Sequence, residues 1–200
     1  MGVDPRLVSA TLQQLARRPI GASRVGWKFG SGQEEQIGGD HIVGHITSAT
    51  TLEPGAEYVG GGDDLHADIE VAVEIGKDLE LARYAVAFEI CDLASVGRLE
   101  ELVAANDYHR AVTFGLFSEY FPQNEIGTLV VNGERRASGP APRDLAWRVA
   151  AMQRVLRAVG ESLQPGDRVI TGLIVNTPLT SGDAISAELG SLGGVGLVIR

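Results

Sequence analysis

Short apolar runs separated by glycine and proline fill most of the chain, and many of them alternate with polar residues as β-strands do. Two stretches instead have helical spacing. The first opens with Asp4-Pro5, a capping residue followed by proline, and stops at Pro19. The second spans Pro142 to Val159. The buried stripe predicted for the first helix consists of Leu7, Val8, Leu12 and Leu15. A third, shorter helix is predicted from Val96 to Ala105.

Acidic residues interrupt the apolar pattern between Ala67 and Asp92. Asp68, Glu70 and Glu74 alternate with apolar residues, so all three leave one face of a predicted strand. Glu89 lies in a second apolar run. Because acids on half-buried strands cost several kcal/mol, to order of magnitude, unless a cation or fixed donors compensate them, a divalent metal is the simplest explanation.

The amino-acid composition limits the number of domains and the kinds of partner that can be expected. With 200 residues, 44% of them hydrophobic, one domain with a sizeable core is expected. The formal net charge of -9 argues against nucleic acid or an anionic membrane as a partner, although a bound cation would still admit an anionic substrate. The single cysteine, the lack of a signal-peptide pattern and the lack of a long apolar run predict a soluble, cytoplasmic protein.

Basic and polar candidates are open to two interpretations each. Lys28, in the strand-like RVGWKFG, is on sequence alone more simply a solvated charge on an edge strand than a site residue. His41 and His45 are more simply surface or hydrogen-bonded histidines than ligands. The Gly-rich loop from Ser31 to Asp40 has the composition of a lid or of a disordered segment.

Five motifs, in collinear order over residues 21–200, resemble the fumarylacetoacetate hydrolase superfamily. They are GWKFG, DIEVAVEIGKDL, AVAFEICDLA, LQPGDRVITG and SGDAISAELGSLGGVGLVIR. The 2-hydroxypenta-2,4-dienoate hydratase and 4-oxalocrotonate decarboxylase branch looks most similar. The resemblance implies a mixed α/β, β-rich fold: a β-barrel or sandwich core over residues 21–200, an N-terminal helix over residues 1–20, further peripheral helices, and a homodimer or larger homo-oligomer.

The resemblance also assigns roles to residues. Mg²⁺ or Mn²⁺ would be held by Asp68, Glu70 and Glu89, which leaves Glu74 without a role. Lys28 would face the substrate, which reverses the interpretation from its strand alone. The family's Thr-Gly pair falls on Thr171 and Gly172, and an asparagine of the family falls on Asn106. These three predicted substrate-binding residues are Thr171, Gly172 and Asn106.

The function implied is that of a metal-dependent lyase, similar to a hydratase, acting on a small 2-oxo or 2-hydroxydienoate acid through an enolate. Decarboxylation, hydrolysis of a carbon–carbon bond and a non-catalytic partner subunit are the alternatives. The chain departs from the family pattern at Ala105 to His109, where bulky residues replace small ones, and it lacks an equivalent of the hydrolases' His-Glu pair.

Overall fold

A computed structural model describes residues 2–94 and 97–200. Within them, three α-helices accompany many strands. The helices are α1 (Pro5–Ala16), α2 (Leu99–Ala104) and α3 (Leu145–Ala158). The first eight strands are β1 (Arg24–Phe29), β2 (Gln36–Ile37), β3 (Asp40–His41), β4 (Val43–Thr47), β5 (Thr51–Leu52), β6 (Glu57–Tyr58), β7 (Leu65–Ile75) and β8 (Leu81–Asp92). The others are β9 (His109–Phe114), β10 (Ile126–Val131), β11 (Glu134–Pro140), β12 (Arg168–Pro178), β13 (Ala184–Leu189) and β14 (Gly194–Ile199).

The largest sheet has the strand order β4-β1-β12-β7-β8-β9-β5. It curls into a half-barrel, and strands make up 43% of the chain. β12 lies between β1, to which it is parallel, and β7, to which it is antiparallel. The β-rich mixed α/β fold predicted from the sequence is therefore confirmed.

A second sheet, ordered β11-β10-β13-β14-β6, packs against the face of the first that carries Ile69 and Phe88. Apolar side chains of both sheets, such as Ile69, Phe88, Leu129 and Leu189, are fully buried in one cluster. The β10–β11 hairpin turns at Asn132-Gly133, where both residues have positive φ (52° and 82°), as the Asn-Gly pair predicts.

The hairpin of β7 and β8 carries the acidic stretch. Its register places Asp68 directly opposite Glu89 and Glu70 opposite Ala87. Cross-strand partners in an antiparallel pair have their side chains on the same face, so the two acids share one side of the sheet.

The N-terminal helix begins where the sequence predicts, because the Asp4 side chain accepts a hydrogen bond from the backbone N–H of Arg6 at 2.9 Å. The predicted buried stripe is partly wrong. Leu12 is 48% exposed, whereas Gln14 is buried, because its side-chain amide donates to two carbonyl groups, those of Val43 and Val103, at 3.0 and 2.7 Å.

The other two predicted helices are also present, and their first residues differ from the predicted ones. The helix predicted from Pro142 to Val159 is present as α3, which begins at Leu145 and ends at Ala158, and its buried side includes Leu145, Val149, Met152 and Leu156. α2 begins at Leu99, and the predicted start of this helix at Val96 lies outside the described residues. In the described part of the chain, no helix is both long and apolar enough to cross a membrane. The division of the chain into an N-terminal helix over residues 1–20 and a core over residues 21–200 remains a prediction.

Candidate active site

A cavity of about 440 Å³ opens over the concave face of the large sheet, where β1, β7, β8 and β12 lie side by side. Its polar wall is formed by Lys28, Asp68, Glu70, Cys91 and Asn176. Its apolar wall is formed by Phe29, Leu93, Tyr108, Leu173 and Ile174. The cavity therefore has one strongly charged side and one side suited to a carbon skeleton.

Three carboxylates converge beneath this cavity. Asp68 and Glu70 come from the same face of β7, and Glu89 comes from β8. Their exposed fractions are 8%, 1% and 0%. The side-chain amide of Asn176 donates to Asp68 Oδ1 at 2.7 Å, and the backbone N–H of Gly172 donates to Glu70 Oε2 at 2.5 Å.

The surroundings shift the pKa values of the three acids in different directions. Burial, followed by repulsion from Glu89, raises the pKa of Asp68 to about 6. The same two causes raise the pKa of Glu70 well above its ordinary value. Burial would also raise the pKa of Glu89, but Lys28 and His109 more than offset it and lower this pKa to about 2. Glu89 is therefore firmly ionised, and the two acids on β7 lack a neighbouring cation of their own.

Lys28 supplies the cation beside Glu89. β1 lies between β4 and β12, and Lys28 is only 4% exposed, so the interpretation as a solvated edge charge is wrong. Its Nζ lies 3.0 Å from Glu89 Oε2 and 3.7 Å from Asp107 Oδ2, and it donates to the Asp107 carbonyl at 2.7 Å. Burial lowers the pKa of Lys28, but the charges of Asp107, Cys91, Glu89 and Glu70 outweigh it and hold this pKa well above the ordinary value.

His109 and Cys91 belong to the site although the sequence did not single them out for it. His109 Nδ1 lies 2.7 Å from Glu89 Oε1, and because an ionised carboxylate only accepts, this nitrogen carries the proton. The Cys91 thiol donates to Asp68 Oδ2 at 3.4 Å, and burial, followed by the charge of Asp68, raises the pKa of this thiol well above its ordinary value. The two-residue spacing of Glu89 and Cys91 was the available signal for a shared face.

The predicted Thr-Gly pair lies at an irregularity of β12. The register shifts between Ile170 and Leu173, and Gly172 has a φ of 99°. A Cβ at Gly172 would lie 2.4 Å from the Ser31 side chain, so only glycine fits. The Gly172 N–H donates a hydrogen bond to Glu70 Oε2, and the Thr171 hydroxyl donates one to the Val71 carbonyl at 2.9 Å. A role in substrate binding for either residue remains a prediction.

Of the three predicted substrate-binding residues, Gly172 lines the cavity, whereas Thr171 and Asn106 do not. The side chain of Asn106 bonds to both backbone groups of His45, at 2.8 and 3.0 Å. His41 Nδ1 lies 2.8 Å from the Gly30 carbonyl, and His45 Nδ1 lies 3.4 Å from Gln14 Oε1. Both histidines therefore fit the hydrogen-bonded interpretation.

Glu74, which the sequence left without a role, is outside the site. It lies on the same strand face as Asp68 and Glu70, but at the far end of β7, where Arg83 donates to it at 2.5 Å. Asp92, at the end of β8, pairs with Arg110 at 2.7 Å. Both acids thus have ordinary structural partners.

The donor set fits a hard divalent cation. Asp68, Glu89 and Cys91 each offer one ligand atom, and these atoms lie within 4.8 Å of one another. Because the Cys91 thiol holds its proton, the oxygen donors are the suitable ligands for Mg²⁺ or Mn²⁺. The raised pKa values of Asp68 and Glu70 show a local excess of buried negative charge, which a divalent cation would offset. Glu70 lies beside this group on β7, and its role as a ligand remains a prediction.

The chain was compared with known proteins. No protein-family model and no curated protein matches its sequence. Among solved structures, it is similar to 4-oxalocrotonate decarboxylase from Pseudomonas putida G7 complexed with magnesium and adipate, with a TM-score of 0.82. The identity is 17%, over 97% of this chain and 86% of that chain. The chain has the fumarylacetoacetate hydrolase fold.

Two further structures share this fold with the chain. Fumarylpyruvate hydrolase from Pseudomonas aeruginosa, in complex with Mn²⁺ and pyruvate, has a TM-score of 0.66 and 16% identity, over 88% of this chain and 89% of that one. 5-Carboxymethyl-2-hydroxymuconate delta-isomerase from Mycobacterium smegmatis has a TM-score of 0.62 and 14% identity, over 89% and 78%. The fumarylacetoacetate hydrolase fold expected from the sequence motifs is confirmed.

Proposed function

We propose that this protein is a divalent-metal-dependent lyase of the fumarylacetoacetate hydrolase superfamily that acts on a small 2-oxo or 2-hydroxydienoate acid. The observation that carries the proposal is the convergence of three buried carboxylates, Asp68, Glu70 and Glu89, on one side of a 440 Å³ cavity. Similar structures with this fold hold magnesium with adipate, and Mn²⁺ with pyruvate.

Mg²⁺ or Mn²⁺ would be held by Asp68, Glu70 and Glu89, and when bound it supplies Lewis acidity toward the oxygens of a 2-oxo acid. The protein orients these ligands through neighbouring donors. Asn176 fixes Asp68, and His109 fixes Glu89. Such outer hydrogen bonds keep ligand oxygens directed at one point and sustain metal affinity.

Lys28 provides a fixed positive charge at the base of the cavity. Because its pKa is held above the ordinary value, it remains protonated at neutral pH and attracts a carboxylate or a developing oxyanion. For Lys28, we therefore favour pairing with a negatively charged group of the substrate over moving a proton. The apolar wall, which includes Leu173 and Ile174, would contact the carbon chain of the acid and exclude water.

Decarboxylation is the second candidate reaction. It is favoured by the TM-score of 0.82 with 4-oxalocrotonate decarboxylase, compared with 0.66 for the hydrolase and 0.62 for the isomerase. Hydration and decarboxylation share the stabilisation of an enolate, so one site can serve either. A homo-oligomer is part of the proposal by analogy with the family.

A turnover assay with and without metal tests the proposal. Protein treated with a chelator is supplied with Mg²⁺ or Mn²⁺ and offered 2-hydroxypenta-2,4-dienoate, oxaloacetate and an acylpyruvate in turn. We expect turnover of the dienoate or of oxaloacetate only when metal is present, and its loss in Glu70→Gln. Metal-independent turnover, or none of the three acids consumed by the metal-loaded protein, would contradict the proposal.

A further inference from the structure

The segment between α2 and β9 turns through three consecutive residues in the left-handed region. Asn106, Asp107 and Tyr108 have φ values of 72°, 56° and 60°. Non-glycine residues rarely adopt this conformation, and a run of three is rarer still. The turn directs the Asp107 side chain into the protein, where it is fully buried.

The Asp107 carboxylate is poorly compensated. Within the described residues, neither of its oxygens has a hydrogen-bond partner. Its nearest cation is Lys28, whose Nζ lies 3.7 Å from Oδ2 and is shared with Glu89. Burial raises the pKa of Asp107 itself to about 6, so this carboxylate is largely ionised at pH 7, and its charge acts on its neighbours with little screening by water.

One of these neighbours is Glu35, in the loop between β1 and β2. Glu35 lines the cavity, beside Lys28 and Tyr108. The position that a Cβ at Gly30 would occupy is 3.2 Å from Asp107 Oδ2 and also 3.2 Å from Glu35 Cβ. The two acidic residues therefore flank the same glycine, next to the Ile42 side chain, whose Cγ1 lies 2.6 Å from that position.

Glu35 is also held in place. Its Oε2 accepts a hydrogen bond from the Gly32 N–H at 2.6 Å, and its carbonyl accepts one from the Ile42 N–H at 3.0 Å. The loop thus holds the Glu35 carboxyl group in a defined position on the lining of the cavity, which Glu34 and the β7 acids Asp68 and Glu70 also line.

We propose that Glu35, on the lining of the cavity, is the catalytic acid–base of this site and that Asp107, which flanks Gly30 together with it, is its positioning residue. The inference rests on the proposed function. In the step that we assign to it, a Glu35 carboxylate oxygen takes a proton from the carbon next to the keto group. The C–H bond breaks, an O–H bond forms, and the C–H electron pair enters the C=C bond of the substrate's enolate. Return of the proton reverses these changes, so atoms and charge balance.

The electrostatics of the site agree with this role. Burial, followed by repulsion from Asp107, raises the pKa of Glu35 to about 7, against the opposing effects of Lys28 and the Gly32 N–H. Glu34, in the same loop, adds a smaller repulsion. Burial, followed by the charges of Asp107, Glu35 and Glu34, also raises the pKa of the Tyr108 hydroxyl group. A general acid–base works best when its pKa lies near the operating pH. Lys28 does not meet this condition, because its pKa is held too high.

Deuterium exchange tests the proposal without requiring the natural substrate. Pyruvate and 2-oxobutanoate are incubated in D₂O with the Mg²⁺-loaded protein, and loss of the C3 proton signal is followed by NMR. We expect the exchange rate of the wild type to rise with pH through about 7, because the carboxylate form of Glu35 accepts the proton. Glu35→Gln should lower the rate by about 10²–10⁴-fold and remove this pH dependence.

Three variants make the test specific. Glu34→Gln removes the same charge one residue away and should keep the pH dependence near its wild-type midpoint. Asp107→Asn should retain exchange but move the midpoint to lower pH, because it removes the repulsion. Glu35→Asp should restore part of the rate. Mg²⁺ and oxalate affinities of Glu35→Gln, measured by calorimetry, should match those of the wild type, which shows that the site is intact.

The two proposals fail differently. If Glu35→Gln exchanges protons at the wild-type rate, or if the midpoint is unchanged in Asp107→Asn, the assignment of Glu35 and Asp107 is wrong while the proposed function stands. If the Mg²⁺-loaded wild type exchanges neither acid, the assignment of Glu35 is also wrong, whereas the proposed function is decided separately by the turnover assay with the three acids.

Discussion

The two ends of the β7–β8 hairpin carry similar charges in opposite surroundings. Glu70 and Glu74 leave the same face of β7, four residues apart. Glu74 is paired with Arg83, whose side chain is 47% exposed. Glu70 is 1% exposed, and the group that donates a hydrogen bond to it is the neutral backbone N–H of Gly172.

The difference shows what separates a structural acid from a site acid. A surface pair is solvated and contributes little, whereas a buried acid without its own cation creates a demand for one. At the buried end, Lys28 is the only cation that bonds to the cluster among the described residues, and it serves Glu89 and Asp107. Asp68 and Glu70, the buried acids of β7, therefore remain available to bind a metal ion.

The largest expected effect comes from removing the buried cation. Lys28→Met should lower the free energy of unfolding by about 3–5 kcal/mol at pH 7, because it leaves Glu89 and Asp107 buried without their partner. Arg83→Met, the matched change at the exposed end, should cost less than about 1 kcal/mol. Urea unfolding followed by tryptophan fluorescence measures both. Equal losses in the two variants would contradict the contrast between the two ends.

Metal affinity gives the second comparison. Asp68→Asn should weaken Mg²⁺ binding at least about 100-fold, more than the loss of an outer hydrogen bond would. Glu74→Gln removes a carboxylate about 13 Å along the strand from Glu70, beyond the screening length of about 10 Å in 0.1 M salt, and should leave the affinity nearly unchanged. Isothermal titration calorimetry separates them. A similar loss in both variants would mean that net charge, and not the site, holds the metal.

The smallest effect is a dependence of stability on pH. The pKa of Asp68 rises from 3.8 to about 6 on folding, so the folded state binds a proton more tightly than the unfolded chain. Its stabilising contribution is complete below pH 4 and is lost as the pH rises through 6, by about 3 kcal/mol. Chelator-treated wild type should therefore become less stable than Asp68→Asn over this interval, as measured by urea unfolding at successive pH values.

Saturating Mg²⁺ provides the control for this pH effect. Because the metal binds the carboxylate form of Asp68, it should cancel the loss of stability at higher pH. Glu89 shifts in the opposite direction. Its pKa is lowered to about 2, so its contribution is lost only as the pH falls below about 4.5, outside the interval. If metal-free wild type and Asp68→Asn follow the same curve between pH 4 and 7, Asp68 is not the titrating group.

The sequence predicted those parts of the site that depend on local periodicity. Alternation along β7 placed Asp68 and Glu70 on one face, the apolar run along β8 singled out Glu89, and motif resemblance added Lys28. Periodicity states which face a side chain takes, but it does not state what lies across from that face. The contact between Lys28 Nζ and the Asp107 carbonyl joins residues 79 positions apart, and no local pattern indicates it.

Irregular backbone explains most of what was missed. Asp107 enters the interior because three successive residues are left-handed, a conformation that their side chains do not favour. The exposure of the Gly172 N–H depends on a register shift in β12. In α1, Gln14 replaces Leu12 on the buried face because two carbonyl groups are within reach of its amide. Each case depends on a tertiary partner that outweighs local preference.

The central place of β12 has a consequence for how the protein is made. β12 joins the strand that carries Lys28 to the strand that carries Asp68 and Glu70, yet it is one of the last strands to be synthesised. On the ribosome, the acidic hairpin emerges long before its neighbour, and its acids remain in water, where ionisation costs little. The burial that raises their pKa values, and with it the demand for a cation, therefore arises only when the end of the chain has been released and docked.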